Sequence, residues 1–317
     1  MSDQYARVIR DLRGFFAKFP HVIKCQSRIR ELVGRPCNEE EPDVLMIVGE
    51  TGVGKSTVLK RTSAEFPRVE HDEFTEIPIV YVEVPAKCTL GNLVGAILKA
   101  MGSPFWDRGR DMERTYQLLK LLRECKVRVL VLDEANHTFD RGRARTHYLI
   151  GDWIKQLSDQ SRVHLVLAGI PSLRGLIETN EQLASRLAEE IVIEPFGVNE
   201  DAVNSMVTAL SAFNAVLGDI PRISLPQKRT CQLFAFATAG RTRGIRRLLV
   251  RSVEIAAVST DPRIDYAVLA QSFREVIFPG APDERNPFAT KFNGRPLNAA
   301  GEPYFGAGRR QVEKAHA

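Results

Sequence analysis

The chain of 317 residues is 44% hydrophobic and 26% charged, which is ordinary for a globular protein with a sizeable core. No stretch approaches the roughly 20 apolar residues of a membrane helix, and the N-terminus shows no signal-peptide pattern, so we expect a cytoplasmic protein without membrane contact. The five cysteines are widely separated and form no C-x-x-C pair, which argues against a disulfide framework or a zinc site.

The formal net charge of +5 is concentrated near the C-terminus. Residues 285–317 hold six basic and two acidic residues, so the rest of the chain is close to neutral. The positive charge alone therefore gives little support for a nucleic-acid-binding face on the folded body.

Residues 1–43 predict an N-terminal helical extension that becomes loop-like before the first strand. Apolar runs then predict buried strands at 44–48, 77–84, 127–132, 163–168 and 189–194. Helical patterns lie between them at 54–66, 89–101, 111–124, 146–159 and 172–187. This alternation indicates βαβ crossovers, so we expect an α/β domain over 44–196 with a parallel sheet flanked by helices.

From about residue 197 the pattern changes. Four helical patterns follow without a strand, and they predict a small helical domain over 197–278. Residues 279–317 are rich in proline and glycine and poor in aliphatic residues, so we expect a flexible basic tail there.

A phosphate-binding motif follows the first predicted strand. Gly49–Ser56 reads Gly-Glu-Thr-Gly-Val-Gly-Lys-Ser and matches G-x-x-x-x-G-K-[ST] at every fixed position, with a helix expected next. The glycines let backbone N–H groups turn toward phosphate oxygens, Lys55 neutralises the β- and γ-phosphates, and the Ser56 hydroxyl is a Mg²⁺ ligand. We therefore expect ATP and Mg²⁺ to bind through Gly49, Glu50, Thr51, Gly52, Val53, Gly54, Lys55, Ser56 and Thr57.

Two carboxylates end the third predicted strand, at Asp133 and Glu134. Asp133 is placed to hold Mg²⁺ beside Ser56, and Glu134 to act as general base on the attacking water. The alternative is an acidic cap for the following helix. Asn136 is a candidate for sensing the γ-phosphate, with a turn or cap role as the alternative. Together the two motifs predict an ATPase, with Lys55 and Glu134 as catalytic residues.

These segments resemble the AAA+ ATPases and, more closely over about 10–260, the TniB/TnsC regulators of DNA transposition. The resemblance is carried by VLMIVGETGVGKST, IPIVYVEVPAKCTLGNLVGAILKAMGSP, VRVLVLDEANH, VHLVLAGIPSL and NEQLASR. It implies a P-loop AAA+ domain followed by a helical lid. The more discriminating feature is the second strand running into Pro-x-Lys-Cys, then a helix ending in Gly-x-Pro.

The resemblance also implies a way of working. Such proteins form a homo-oligomer, either a ring or a helical filament, on double-stranded DNA when ATP is bound. They connect a target-selection protein to a transposase and disassemble on hydrolysis. Each ATP lies between two subunits, and the neighbour's arginine stabilises the transition state; Arg186 matches that position. A surface arginine paired with Glu181 or Glu189 is the alternative for Arg186.

Two positions depart from the AAA+ pattern. The polar residue expected after the fourth core strand is missing, since this sequence has Ala-Gly-Ile-Pro-Ser at 168–172, with Ser172 as a weak substitute. The lid arginine that reads nucleotide state has several candidates after Gly240, of which Arg243 is favoured and Arg246 is second. A basic solvated helix face is the alternative for each.

Candidate DNA contacts lie in loops of the α/β domain. Lys87 follows the second strand, and Ser103, Arg108 and Arg110 follow the next helix, near Phe105 and Trp106. Such residues contact phosphates without reading sequence, although a solvated charged surface is the alternative. Two other functions remain open: another AAA+ helper, origin-loading or secretion-associated, and an ATP-dependent DNA-binding scaffold with negligible hydrolysis.

Overall fold

The computed structural model describes residues 3–35, 41–86, 88–138, 144–197 and 202–305. The chain divides into two compact units. We call Lys18–Ile193 the sheet unit, and Met1–Ala17 together with Glu194–Ala317 the helical unit. Within the described ranges, no helix is both long and apolar enough to cross a membrane.

The strands, in chain order, are β1 (Val44–Gly49), β2 (Val69–Glu70), β3 (Thr75–Glu76), β4 (Ile79–Glu83), β5 (Val129–Asp133), β6 (His164–Gly169) and β7 (Leu187–Ile193). The helices are α1 (Asp3–Gly14), α2 (Pro20–Gly34), α3 (Lys55–Ser63), α4 (Leu90–Ala100), α5 (Asp111–Glu124), α6 (Ala144–Ser161), α7 (Arg174–Glu178), α8 (Glu181–Ala184), α9 (Ala202–Leu217), α10 (Lys228–Thr238), α11 (Thr242–Ala256) and α12 (Tyr266–Val276). Short 3-10 helices lie at Ala135–Thr138, Pro171–Leu173 and Asp283–Arg285.

The core of the sheet unit is a five-stranded parallel sheet in the order β4-β5-β6-β1-β7. Every residue of β1, β5 and β6 is buried, as expected for strands covered on both faces. Because the strands are parallel, the carboxyl ends of β1, β5 and β6 meet at one edge of the sheet. The prediction of a parallel α/β domain flanked by helices and followed by a helical domain is confirmed.

The single helix predicted over 172–187 is wrong. A 3-10 turn, α7 and α8 occupy this stretch, and the chain breaks between the two α-helices at Thr179 and Asn180. The Asn180 side chain accepts a hydrogen bond from Leu183 N at 3.0 Å and caps α8. An asparagine that caps a new helix start competes with continuation of the old helix, which is why the pattern alone misleads here.

The predicted N-terminal extension over 1–43 does not form one body. Helix α1 belongs to the helical unit, where the Tyr5 hydroxyl donates to Pro262 O at 2.8 Å. Helix α2 belongs to the sheet unit, where Arg128 Nη1 donates to the carbonyl of Val33 at 3.0 Å. The unit boundary therefore falls between the two helices, at residues 17 and 18.

The expectation of a flexible tail from residue 279 is also wrong as far as residue 305. Arg285 is buried and donates to Glu302 Oε1 at 2.7 Å, Asn293 Oδ1 at 2.8 Å and Pro296 O at 2.8 Å. Phe288 is buried, with its ring centroid 5.3 Å from that of Phe234 on α10. One arginine thus organises a proline- and glycine-rich segment that composition marked as loose. Residues 306–317 lie outside the described part of the chain.

Candidate active site

The P-loop joins β1 to α3 at the carboxyl edge of the sheet. Gly54 has φ +115° at the start of α3, a conformation that L side chains rarely adopt. A Cβ on Gly49 would lie 2.5 Å from Ile193 O on β7, so only glycine fits there. The predicted binding residues from Gly49 to Thr57 therefore form one continuous turn into a helix. The first N–H groups of that helix face the turn and suit an anion.

Lys55 is almost fully buried at the start of α3. Its Nζ donates to Gly49 O at 2.8 Å and to Glu50 O at 3.1 Å. These contacts hold a buried ammonium group on the inside of the loop, where phosphate oxygens are the natural alternative acceptors. Ser56 and Thr57 follow in the same turn and are half-buried.

Asp133 and Glu134 lie two strands from β1, at the same edge of the sheet. Asp133 is buried, and its Oδ1 accepts from Glu134 N at 2.9 Å. Glu134 is half-buried with φ +53°, a left-handed conformation that costs a non-glycine residue about 1–2 kcal/mol. This turn ends β5 immediately after Asp133. Strain of this kind is concentrated at functional sites in proteins.

Tyr81 on β4 is a site residue that the sequence analysis missed. Its hydroxyl donates to Asp133 Oδ2 at 2.7 Å across the neighbouring strands. Burial and the bond to Asp133 raise the pKa of Tyr81 well above its usual range, so the hydroxyl remains a donor. Both oxygens of the Asp133 carboxylate therefore have a fixed donor. The contact joins residues 52 positions apart in the sequence, which the pairing of β4 with β5 brings together.

The arrangement fits a nucleoside triphosphate with Mg²⁺. It provides a buried ammonium, a hydroxyl at the start of a helix and an oriented carboxylate at one edge of the sheet. Among the described residues there is no cluster of three or more His, Cys, Asp or Glu side chains that could hold a metal ion alone. Mg²⁺ is commonly held by one or two protein oxygens together with substrate phosphates, and Ser56 and Asp133 suit that role.

A family model described as bacterial TniB protein matches residues 9–196. The chain belongs to the TniB family. The match covers the P-loop, the Asp133–Glu134 pair and the segment up to the end of the sheet unit. No curated protein matched the sequence.

Solved structures share the fold of this TniB-family chain. Cdc6p from Pyrobaculum aerophilum is 19% identical with a TM-score of 0.60, over 85% of this chain and 71% of that chain. The ORC1 protein of Aeropyrum pernix in complex with DNA is 20% identical with a TM-score of 0.56, over 82% and 66%. Drosophila ORC bound to DNA is 14% identical with a TM-score of 0.54, over 87% and 66%. At these identities the likeness concerns the fold.

Arg186 lies at the opposite edge of the sheet from the P-loop. Its carbonyl accepts from Val44 N at 2.9 Å, at the amino end of β1. The six residues of β1 therefore separate it from Gly49, a distance of about 17–20 Å along a strand. Its guanidinium is mostly buried, with Nη1 2.8 Å from Asp159 Oδ1 on α6 and Nη2 3.5 Å from Glu41 Oε2. Among the described residues, its ion pairs are therefore with Asp159 and Glu41 rather than with Glu181 or Glu189. Arg186 cannot serve the P-loop of its own subunit.

The lid arginines differ in their contacts within the helical unit. Arg246 Nη2 donates to the carbonyl of Phe15, just after α1, at 2.7 Å, so it helps to fix that end of the chain. Arg243 is exposed in the first turn of α11. Arg243 is thus exposed and Arg246 half-buried, and the nucleotide-sensing role of Arg243 stays a prediction.

The predicted DNA contacts fall into three groups. Lys87 lies outside the described residues. Ser103 is buried, and its hydroxyl accepts from Gln117 Nε2 at 3.0 Å, so the expectation of a surface contact there is wrong. Arg108 and Arg110 are exposed and stay candidates. Ser103 instead braces the loop between α4 and α5.

Aromatic and apolar side chains accompany the two arginines. We call this the α4–α5 surface; its exposed members are Phe105, Trp106, Met112 and Tyr116. The Arg108 guanidinium lies 5.6 Å from the centroid of Phe105, and Lys99 Nζ lies 4.9 Å from that of Trp106. Exposed large apolar side chains are typical of an interaction surface where they form one contiguous patch. Met112 and Tyr116 lie in the first half of α5, and the sequence analysis did not predict that they would be exposed.

Proposed function

We propose that this TniB-family protein is a Mg²⁺-dependent ATPase that assembles on double-stranded DNA in its ATP-bound form. It links a target-selection protein to a transposase, and hydrolysis drives disassembly. The observation that carries the proposal is that Lys55, at the P-loop, and the Asp133–Glu134 pair lie at the same edge of the sheet. The TniB match supports the transposition part.

In the proposed reaction, Lys55 exchanges its bonds to Gly49 O and Glu50 O for oxygens of the β- and γ-phosphates. Ser56 and Asp133 would hold Mg²⁺, which would neutralise charge on the phosphate oxygens. Glu134 accepts a proton from the water that attacks the γ-phosphorus, and the bond from that phosphorus to the β–γ bridging oxygen breaks, so that ADP and phosphate are the products. Tyr81 keeps the Asp133 carboxylate in one orientation.

We propose that Arg186 acts on the ATP of a neighbouring subunit. Its place at the amino edge of the sheet supports action in trans, because its own P-loop is at the carboxyl edge. An arginine supplied by a neighbour stabilises the transition-state charge and makes hydrolysis depend on assembly. In the assembled protein, the Arg186 guanidinium either keeps its ion pair with Asp159 or exchanges it for the γ-phosphate of the neighbour's ATP.

Charge supports DNA binding that depends on assembly. The sheet unit has 25 basic and 25 acidic residues, so one copy attracts DNA weakly. An oligomer repeats Lys87, Arg108 and Arg110 along the backbone, and modest contacts then add through effective concentration. Such contacts position the protein on phosphates without reading sequence.

Two other functions have specific support. The fold likeness to Cdc6p and ORC1 over both units favours an origin-loading helper as the second candidate. The absence of a polar residue at the carboxyl end of β6, where Gly169 and Ile170 stand, favours a scaffold with negligible hydrolysis. A steady-state ATPase assay with and without duplex DNA, using wild type and Glu134→Gln, separates ATPase from scaffold. Identification of the bound protein partner separates the transposition regulator, which would bind a transposase, from the origin-loading helper, which would bind a replication factor.

A further inference from the structure

The carboxyl end of β6 has no polar side chain of its own. Strand β6 ends at Gly169, which is paired with Val48 of β1, one residue before the P-loop begins. Ile170 follows, and the 3-10 turn Pro171–Leu173 comes next. Strand β6 lies between β5 and the P-loop strand β1. Its own residues therefore leave the carboxyl edge of the sheet apolar at this point.

Asn136 fills this position from the neighbouring segment. It lies in the 3-10 turn after β5 and is 3% exposed. Its Oδ1 accepts from Ile170 N at 3.2 Å, which ties the end of β5 to the end of β6. Because Ile170 N can only donate, the oxygen of the amide faces β6 and the NH₂ group faces away from that bond.

Gly169 makes room for this amide. A Cβ at position 169 would lie 2.6 Å from Asn136 Oδ1 and 3.2 Å from Asn136 N. Contacts under about 3.0 Å are essentially never seen for real Cβ atoms, so any other residue at 169 displaces the amide. The apolar end of β6 and the buried polar side chain after β5 are thus two parts of one arrangement.

We propose that Asn136 supplies, through its NH₂ group, the neutral hydrogen-bond donor on the γ-phosphate side of the site that β6 does not provide. The proposal rests on the proposed ATPase function. A neutral donor suits this place because Asp133 and Glu134 supply negative charge beside it, and a cation there would pair with Glu134 and block its role as base. Hydrogen bonds from neutral groups aimed at developing charge contribute strongly to catalysis.

The competing explanation is that Asn136 only ties two turns together. The two roles need different atoms of the same amide. Tying Ile170 N requires an acceptor, which Asp provides as well as Asn. Contact with a phosphate requires a donor, which an ionised Asp lacks and replaces with a repelling charge. Asn136→Asp therefore separates the two roles at constant side-chain shape.

The experiment compares wild type, Asn136→Asp and Gly169→Ala, with Asn286→Asp as control. Asn286 is buried in the helical unit, and its Nδ2 donates to Ala270 O at 2.9 Å. Affinities for ADP and for a slowly hydrolysed ATP analogue are measured by calorimetry, alongside steady-state hydrolysis and thermal unfolding. If the added charge in Asn136→Asp prevents folding, Gly169→Ala still tests the proposal, because its Cβ displaces the Asn136 amide without adding a charge.

For both site variants we expect ADP affinity within about twofold of wild type and a loss of about tenfold or more in preference for the ATP analogue over ADP. Hydrolysis should fall about 100-fold, as for removal of one donor to a transition-state oxyanion. Asn286→Asp should leave the preference unchanged. An Asn136→Asp protein with wild-type preference and turnover would overturn the proposal, as would equal losses for ADP and the analogue. A wild-type protein that binds ATP without hydrolysing it would instead overturn the ATPase function.

Discussion

The Tyr81 hydroxyl donates a hydrogen bond to Asp133 Oδ2 at 2.7 Å, from one strand to the next. The other carboxylate oxygen accepts from Glu134 N, so the Asp133 side chain is held at both ends. A residue that fixes a metal-binding carboxylate influences metal affinity without touching the metal. Tyr81 is therefore a positioning residue for the proposed Mg²⁺ site.

Tyr81→Phe should raise the Mg²⁺ concentration needed for half-maximal hydrolysis by about tenfold, the usual scale for loss of such a partner. Hydrolysis at saturating Mg²⁺ should stay within a few-fold of wild type, because the chemical groups are unchanged. Titration of Mg²⁺ at fixed ATP measures this. Tyr5→Phe is the matched control, since it removes a phenol donor to Pro262 O in the helical unit. An unchanged Mg²⁺ titration in Tyr81→Phe would show that Asp133 needs no help from Tyr81.

Glu134→Gln should keep ATP binding and reduce turnover at least about 100-fold, because the amide cannot accept the proton from water. Lys55→Ala should lose ATP binding altogether, since the phosphates lose their buried cationic partner. Nucleotide binding by calorimetry and phosphate release measured on the same preparations distinguish the two effects. Parental turnover in Glu134→Gln would remove Glu134 as general base.

Arg186→Ala should leave ATP binding by the single subunit nearly intact and abolish DNA-stimulated hydrolysis. Mixing it with Lys55→Ala should restore part of the activity, because each variant provides what the other lacks. Asp159→Asn is the control, since it breaks the 2.8 Å ion pair and leaves the guanidinium in place. Failure to recover activity at any mixing ratio would count against action in trans.

Phe288→Ala should destabilise the helical unit by about 3 kcal/mol or more, because a buried ring packed against Phe234 and Phe273 leaves a cavity. Phe305→Ala, at an exposed position, should change stability by less than about 0.5 kcal/mol. Truncation after residue 278 should likewise destabilise the protein. Chemical denaturation measures each. Equal stability of Phe288→Ala and wild type would show that residues 279–305 are not an integral part of the helical unit.

The parts of the site within one local stretch could be predicted from sequence. Gly49–Ser56 and Asp133–Glu134 are contiguous motifs in which strand, turn and side chain follow one another. Contacts that depend on strand order could not. Tyr81 with Asp133 and Asn136 with Ile170 meet only because β4, β5 and β6 are neighbours in the sheet.

Composition misled where one buried polar group organises a segment. The prolines and glycines after residue 279 indicated flexibility, yet Arg285 binds the carbonyls of Arg295 and Pro296 and fixes their course. Ser103 misled in the opposite sense, since a polar residue in a loop turned inward to Gln117. Sequence patterns assign a conformation from residue type, whereas the burial of Arg285 and Ser103 depends on hydrogen bonds to residues farther along the chain.

The contribution of the proposed DNA contacts depends on salt. Arg108→Ala with Arg110→Ala, and separately Lys87→Ala, should lower affinity about equally for unrelated duplexes and flatten the salt dependence, because fewer counterions are released. Duplex binding at several salt concentrations, with an ATP analogue present, measures the effect. Loss of affinity for only one duplex sequence would point to base reading instead.

Electron microscopy of the wild-type protein with duplex DNA, Mg²⁺ and a slowly hydrolysed ATP analogue tests the central claim most directly. The same mixture with ADP is its control. We expect rings or helical filaments around the duplex with the analogue, and dispersed subunits with ADP. Dispersed subunits in both samples, or equal decoration of DNA in both, would contradict assembly on DNA controlled by ATP.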